Sequence, residues 1–252
     1  MGDQLTDRAI RLASLTLWRK LDWFTYTFER ARSIHKRRRG SWRFKALCMG
    51  ADKAGRNCMS QEKPQRQLKM VWPEQLIDSP PDVPVPSGYT LRTYQAGDEP
   101  GFYNVMDLAG FKDWDDETLR PWLLKILPDG WFLIVHQESG EIVATTMANH
   151  NPQAPHPFAG ELGWVAGHPE HAGRGLGMAV CGAVVRRLLQ GGYRHIYLNT
   201  DDWRLPAIVI YLRLGWVPFL YAADMAERWH TVCEQTKWPF TPEDWPATPG
   251  VQ

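Results

Sequence analysis

Residues 161–179, ELGWVAGHPEHAGRGLGMA, constrain the fold of this chain more than any other stretch. Leu162, Trp164 and Val165 make an extended apolar segment that enters a turn at His168-Pro169. Gly173-Arg174-Gly175-Leu176-Gly177 follows, and then a run of helix formers. Glycines at this density allow positive φ and let the backbone come close to a ligand. A strand that feeds such a loop into a helix presents unpaired N–H groups at the helix N-terminus. That is an anion site suited to phosphate.

Two phosphate loops are excluded by spacing. The nucleotide-triphosphate loop requires Lys and then Ser or Thr after its last glycine, and neither follows Gly177. The dinucleotide fingerprint requires a third Gly or Ala where Met178 stands. What remains resembles the pyrophosphate loop of the GNAT superfamily of acyl-CoA-dependent N-acetyltransferases, Arg/Gln-x-x-Gly-x-Gly/Ala after a turn that often holds His-Pro-Glu. Gly175 and Gly177 match, with Leu176 between them, and Ala172 stands in the first position. Arg174 is then the residue expected to supply positive charge. A second stretch, 204–216, resembles the family pattern Asn-x-x-Ala-x-x-x-Tyr-x-x-x-Gly-Phe. Ala207, Tyr211 and Gly215 match, Trp216 stands for Phe and Arg204 for Asn.

The bulk numbers fit a soluble globular chain: 252 residues, 44% hydrophobic, net charge +1. No apolar run is long enough for a membrane helix. Four scattered cysteines (Cys48, Cys58, Cys181, Cys233) show no metal-ligand spacing and read as reduced thiols of a cytoplasmic protein. No metal is expected. The charge is divided: residues 1–70 hold seventeen Lys and Arg against six acids, and the remainder twelve against twenty-two. The first part is near +11 and the rest near −10. The expected organisation is a basic N-terminal extension (1–69), a Pro-rich linker or surface strap (70–88), an acetyltransferase domain (89–236) and a Pro-rich tail (237–252). The cation cluster within 30–45 reads either as a nucleic-acid or anionic-membrane contact or as a disordered arm.

Strands are expected at 89–94, 131–136, 141–148, 161–167, 194–200 and 216–221. Helices are expected loosely over 1–34, then at 98–109, 115–127, 177–190, 205–214 and 224–236, with an irregular loop over 149–159. The class is α/β. The resemblance implies a GNAT-like layered fold, its mixed central sheet splayed at an acyl-CoA cleft and flanked by helices, with the cleft between 161–167 and 194–200. Trp114 and Trp122 read as core or as lining of a substrate pocket.

The resemblance further implies acetyl-CoA as co-substrate and direct attack on its thioester by a primary amine. Backbone groups of Val165, Ala166 and Gly167 would meet the thioester and pantetheine. Ala172, Gly173, Arg174, Gly175, Leu176, Gly177 and Met178 would hold the pyrophosphate, and Arg204 and Ala207 would border the cofactor. Tyr211 is the expected general acid and Glu161 the candidate base. Helix packing and a solvated strand end are the competing readings of these two. The acceptor is expected to be a small amine rather than a protein, and the negative charge of the main domain favours a cationic one. Homodimers are common in the family. The competing functional reading is a non-catalytic acyl-CoA-binding or regulatory module with a nucleic-acid-binding basic arm.

Overall fold

β-branched and aromatic residues bounded by Gly, Pro and Asp punctuate the chain from residue 66 onward, and each such run pairs into one sheet. The computed structural model describes residues 66–154 and 156–249. The expectations for the helix at 1–34, the cations at 30–45, and Cys48 and Cys58 lie outside these residues.

The strands are β1 (Leu68–Val71), β2 (Tyr89–Thr93), β3 (Ile126–His136), β4 (Ile142–His150), β5 (Ala159–Gly167), β6 (His195–Thr200) and β7 (Val217–Pro218). The helices are α1 (Glu99–Leu108), α2 (Asp116–Leu123), α3 (Leu176–Gln190), α4 (Leu205–Leu214) and α5 (Met225–Thr236). The sheet order is β2-β3-β4-β5-β6-β1-β7. Neighbours run antiparallel except β5 and β6, which are parallel and joined through α3.

Helices cover the two faces unequally. Phe102, Val105 and Met106 of α1 and Leu119 of α2 bury against Trp131, Leu133 and Met147, over the β3–β4 side. On the other face Val180, Val184 and Leu188 of α3, Ile208 and Leu212 of α4, and Trp229 of α5 cover Met70, Ile196 and Leu198. The first face of β6 and β1 therefore has no helix over it among the described residues, and that leaves room for a site.

Several boundaries differ from expectation. The sheet does not begin at residue 89: Leu68 and Met70 are fully buried, and β1 lies between β6 and β7. A four-residue strand, Leu-Lys-Met-Val, carries too little pattern to be seen locally. The Pro-rich stretch after it is a strap. Val83 and Val85 pack on the core, and Arg186 donates to the Pro81 carbonyl at 3.1 Å. Helix α2 stops at Leu123 instead of continuing to 127, because β4 captures the chain there: the His150 N–H bonds the Lys125 carbonyl at 2.7 Å. Asn149 and His150 belong to β4, not to the loop after it. The last strand is only two residues long, ending at Pro218, which has no N–H to donate. Beyond it Leu220 exchanges backbone bonds with Pro246 and Thr248, which ties the Pro-rich tail to the sheet.

Met70→Ala should remove a fully buried side chain from the seam between β6 and β7. Urea unfolding should show a loss of about 2–5 kcal/mol, whereas a residue on a mere linker would show almost none.

Candidate active site

The turn at the end of β5 is built as its glycines require. Pro169–His171 forms a single 3-10 turn, with the Glu170 N–H bonded to His168 Nδ1 at 3.2 Å. Gly173 and Gly175 take φ of 74° and 83°. Gly175 caps α3, and the Ala179 N–H is the first to bond back, to the Gly175 carbonyl at 3.1 Å. The N–H groups of Leu176, Gly177 and Met178 precede that first bond, so the helix itself offers them no acceptor. A Cβ placed at Gly173 would meet no atom within 4 Å, so the turn is open on that side. Gly177 has a different reason: a Cβ there would stand 2.5 Å from the Ile210 δ-methyl, so it sets the approach of α3 to α4. Ala172 is exposed. Arg174 is anchored beside the turn, donating to the Tyr89 hydroxyl at 2.8 Å, which in turn shares a 2.8 Å bond with His171 Nδ1.

Strands β5 and β6 pair only over Ala159–Glu161 and His195–Tyr197. Beyond Glu161 they part, and residues 162–167 have no partner on the β6 side. This is the opening expected between these two strands. A bulge shapes its edge: Met147 pairs with Gly163 and Thr145 with Ala166, so β5 carries one residue more than β4 over this interval. Trp164 takes a left-handed φ of 57°. Such a conformation costs a non-glycine residue about 1–3 kcal/mol. The indole is held edge-on by Trp114 at 4.6 Å, Trp122 at 4.9 Å and Phe111 at 5.6 Å. Trp114 and Trp122 thus buttress the bulge. Sequence reasoning missed the bulge, since a strand pattern carries no mark of a one-residue insertion. A Cβ at Gly167 would meet nothing within 4 Å, so crowding does not demand glycine there.

The two ionisable groups expected at the site lie on opposite faces of the sheet. Tyr211, on α4, is 4% exposed, and burial pushes its phenol well above the ordinary value. The nearby Cys181 adds to the shift and Arg204 opposes it. Arg204 does not cap α4 through its side chain. Its guanidinium lies 4.0 Å from the Phe111 ring centre and 4.2 Å from that of Trp203, and its Nε donates to Asp201 at 3.3 Å. It therefore joins the loop after β6 to the loop between α1 and α2. Ala207 is half-buried in the first turn of α4.

Glu161 lies on the α1–α2 face, opposite Asn149 on one side and Tyr197 on the other. It is 8% exposed, not a solvated strand end. Asn151 Nδ2 donates to one carboxylate oxygen at 2.7 Å and Asn199 Nδ2 to the other at 3.1 Å. Burial raises its pKa. The two amides, then Lys125 and Lys69, pull it back only in part. Asn149 is a further polar residue that sequence reasoning missed. It is fully buried, neither side-chain polar atom has a partner, and its Nδ2 occupies the space a Cβ at Gly163 would need. Among the described residues no cluster of His, Cys, Asp and Glu is placed to hold a metal, and no helix is long and apolar enough to cross a membrane. Cys181 and Cys233 are free and buried.

The turn gives a paired test. Gly175→Ala forces an L side chain into a left-handed conformation and should cost about 1–2 kcal/mol in chemical unfolding. Gly167→Ala, with open space and no such φ, should leave stability within about 0.5 kcal/mol.

Known proteins resemble this chain in sequence over the same region. Residues 99–216 match the acetyltransferase (GNAT) family. A mycothiol acetyltransferase of Paenarthrobacter aurescens is 29% identical over 165 residues, covering 60% of this chain and 50% of that protein. Another, from Thermomonospora curvata, is 29% identical over 210 residues, covering 77% of this chain and 65% of that protein. A solved structure of a GCN5-related N-acetyltransferase from Sphaerobacter thermophilus is 25% identical, with a TM-score of 0.48, over 64% of this chain and 51% of that one. The chain spans about half the length of the first curated relatives it matches. The family match takes in the glycine turn, the parted strands and the 204–216 motif together, and residues 99–216 are the part of the chain that carries the GNAT acetyltransferase family's pattern.

Proposed function

We propose that this protein transfers the acetyl group of acetyl-CoA to the primary amine of a small molecule. The observation that carries this reading is the opening between β5 and β6. A glycine turn and a helix N-terminus lie beyond its wide end, and a buried carboxylate sits where the strands meet. The name carried by the curated relatives supports a small-molecule acceptor over a protein N-terminus.

In this reading the N–H groups within 172–178 bind the diphosphate and Arg174 adds positive charge beside it. The pantetheine lies along the free edge of β5, against the backbone of Val165, Ala166 and Gly167, with Arg204 and Ala207 on the facing side. The amine nitrogen attacks the thioester carbonyl carbon. Negative charge gathers on the carbonyl oxygen, where strand N–H groups stabilise it. The carbon–sulfur bond then breaks and the sulfur takes a proton from the Tyr211 hydroxyl. The phenol is protonated at neutral pH and so holds a proton to give, although the burial that raises its pKa makes it a weaker acid. Glu161 takes the proton that the attacking nitrogen loses, directly or through water. The two amides that hold it fix the direction of its lone pairs. No observation favours the non-catalytic reading.

Calorimetric titration of acetyl-CoA into the full chain, followed by an amine screen that reads free CoA thiol, tests the proposal. Saturable binding and amine-dependent thiol release are expected; absence of binding would overturn it. Tyr211→Phe should lower kcat about 100-fold or more while leaving the acetyl-CoA KM nearly unchanged. An equal loss in binding would mean a packing role instead. The base must be ionised to act, and burial raises its pKa. Activity should therefore fall as pH drops through a value above the ordinary carboxylate range, and Glu161→Gln should abolish that acid limb together with most of kcat.

A further inference from the structure

A cavity of about 610 Å³ opens on the helix-free face of the sheet. Lys69, Gln153, His156, Tyr197, Phe219 and Tyr221 are among the residues that line it. It adjoins the candidate base. Tyr197 is the cross-strand partner of Glu161, and Lys69 is the partner of Asn199, which donates to Glu161. Cross-strand partners share a face of the sheet, so one polar row runs from Asn149 through Glu161 to the cavity wall.

The charge of this cavity is unbalanced. The Lys69 ammonium donates to Gln153 Oε1 at 2.7 Å and stands 5.2 Å and 5.3 Å from the ring centres of Tyr197 and Tyr221. Among the described residues it has no ion-pair partner. Burial lowers its pKa, and Glu161 offsets this only in part. Arg194, His156 and His195 add positive or ionisable groups to the lining, against the single carboxylate of Glu74. The imidazoles of His156 and His195 stack at 3.8 Å, and burial with repulsion from His195 and Lys69 lowers the His156 pKa. A half-buried cation whose one hydrogen-bond partner is a neutral amide is an anion site, because a charged acceptor makes a stronger bond than the amide it displaces or joins. The surrounding rings offer flat apolar surface for the body of the same ligand.

We propose that this cavity binds the acceptor, and that the acceptor is an amine carrying a carboxylate, held by Lys69 and stacked on the tyrosine and phenylalanine rings. The inference rests on the acetyltransferase reading of the adjoining opening. It sets local charge above the net negative charge of the domain, which by itself favours a cationic acceptor.

The test is isothermal titration of the full chain with phenylalanine, leucine and methionine, each against its carboxamide. At least one acid should bind roughly tenfold tighter than its amide, the advantage of a charge-assisted bond. That ratio should fall towards one in Lys69→Met and persist in Lys69→Arg. Circular dichroism checks each variant for folding. If Lys69→Met does not fold, Lys69→Gln, which removes the charge and keeps a polar side chain, should bring the ratio towards one. Equal binding of acids and amides, no saturable binding in the millimolar range, or a ratio that survives Lys69→Met would each overturn the proposal. Acetyl-CoA is titrated separately. Its failure to bind would remove the acetyltransferase reading, while the acid-to-amide ratio would still report on the cavity.

Discussion

The pairing of β6 with its two neighbours governs this structure. On one side β1 pairs with Tyr197–Thr200, the far half of the strand. On the other, β5 pairs only with His195–Tyr197, the near half. A strand held firmly by one neighbour and briefly by the other must diverge from the second, since sheet twist accumulates along each pair. The divergence leaves the peptide groups of 162–167 that point towards β6 without a strand partner in the middle of a sheet. Such groups need another partner, water or a ligand, and the opening leaves them accessible to one. The bulge at Trp164 sharpens the effect by turning the strand edge, and three aromatic rings hold it there.

The opening connects two faces with different chemistry. Helices α3 and α4 crowd one face, and Tyr211 is buried among them. The other face carries Glu161, Asn149 and Lys69, with no helix over β6 and β1 among the described residues. Desolvation acts on both ionisable groups in the same direction, towards the protonated form. The consequences for chemistry differ. For the proposed reaction a raised pKa would make the carboxylate a stronger base and the phenol a weaker acid. Asn149 extends the polar row further into the sheet. A fully buried amide without partners is rare in folded proteins, and an arriving ligand or water is the ordinary remedy.

The legible parts of the sequence were those in which one residue type has one physical use. Gly173 and Gly175 announced a left-handed turn because other residues pay to adopt it. Gly215 ended α4 for the same reason, at φ 105°. The runs at 89–93, 142–148 and 195–200 were readable as strands from their alternation and β-branched content. The clearest illegible part was β1, whose four residues gain their meaning from partners more than a hundred positions away. Asn149 was assigned to a loop, because a polar residue beside a Pro-rich stretch resembles one. Only the pairing with Glu161 reveals it as a strand residue with a buried amide.

Sequence alone therefore determined the order of the main elements after β1, the glycine turn and the two motifs that carry the family. These depend on backbone conformations and spacings that short stretches impose on themselves. Tertiary structure alone decided where β5 and β6 part, which face Glu161 occupies, and that Lys69 faces a cavity beside it. Those properties come from register, and register is a relation between distant strands: a shift of one residue would turn every one of these side chains to the other face.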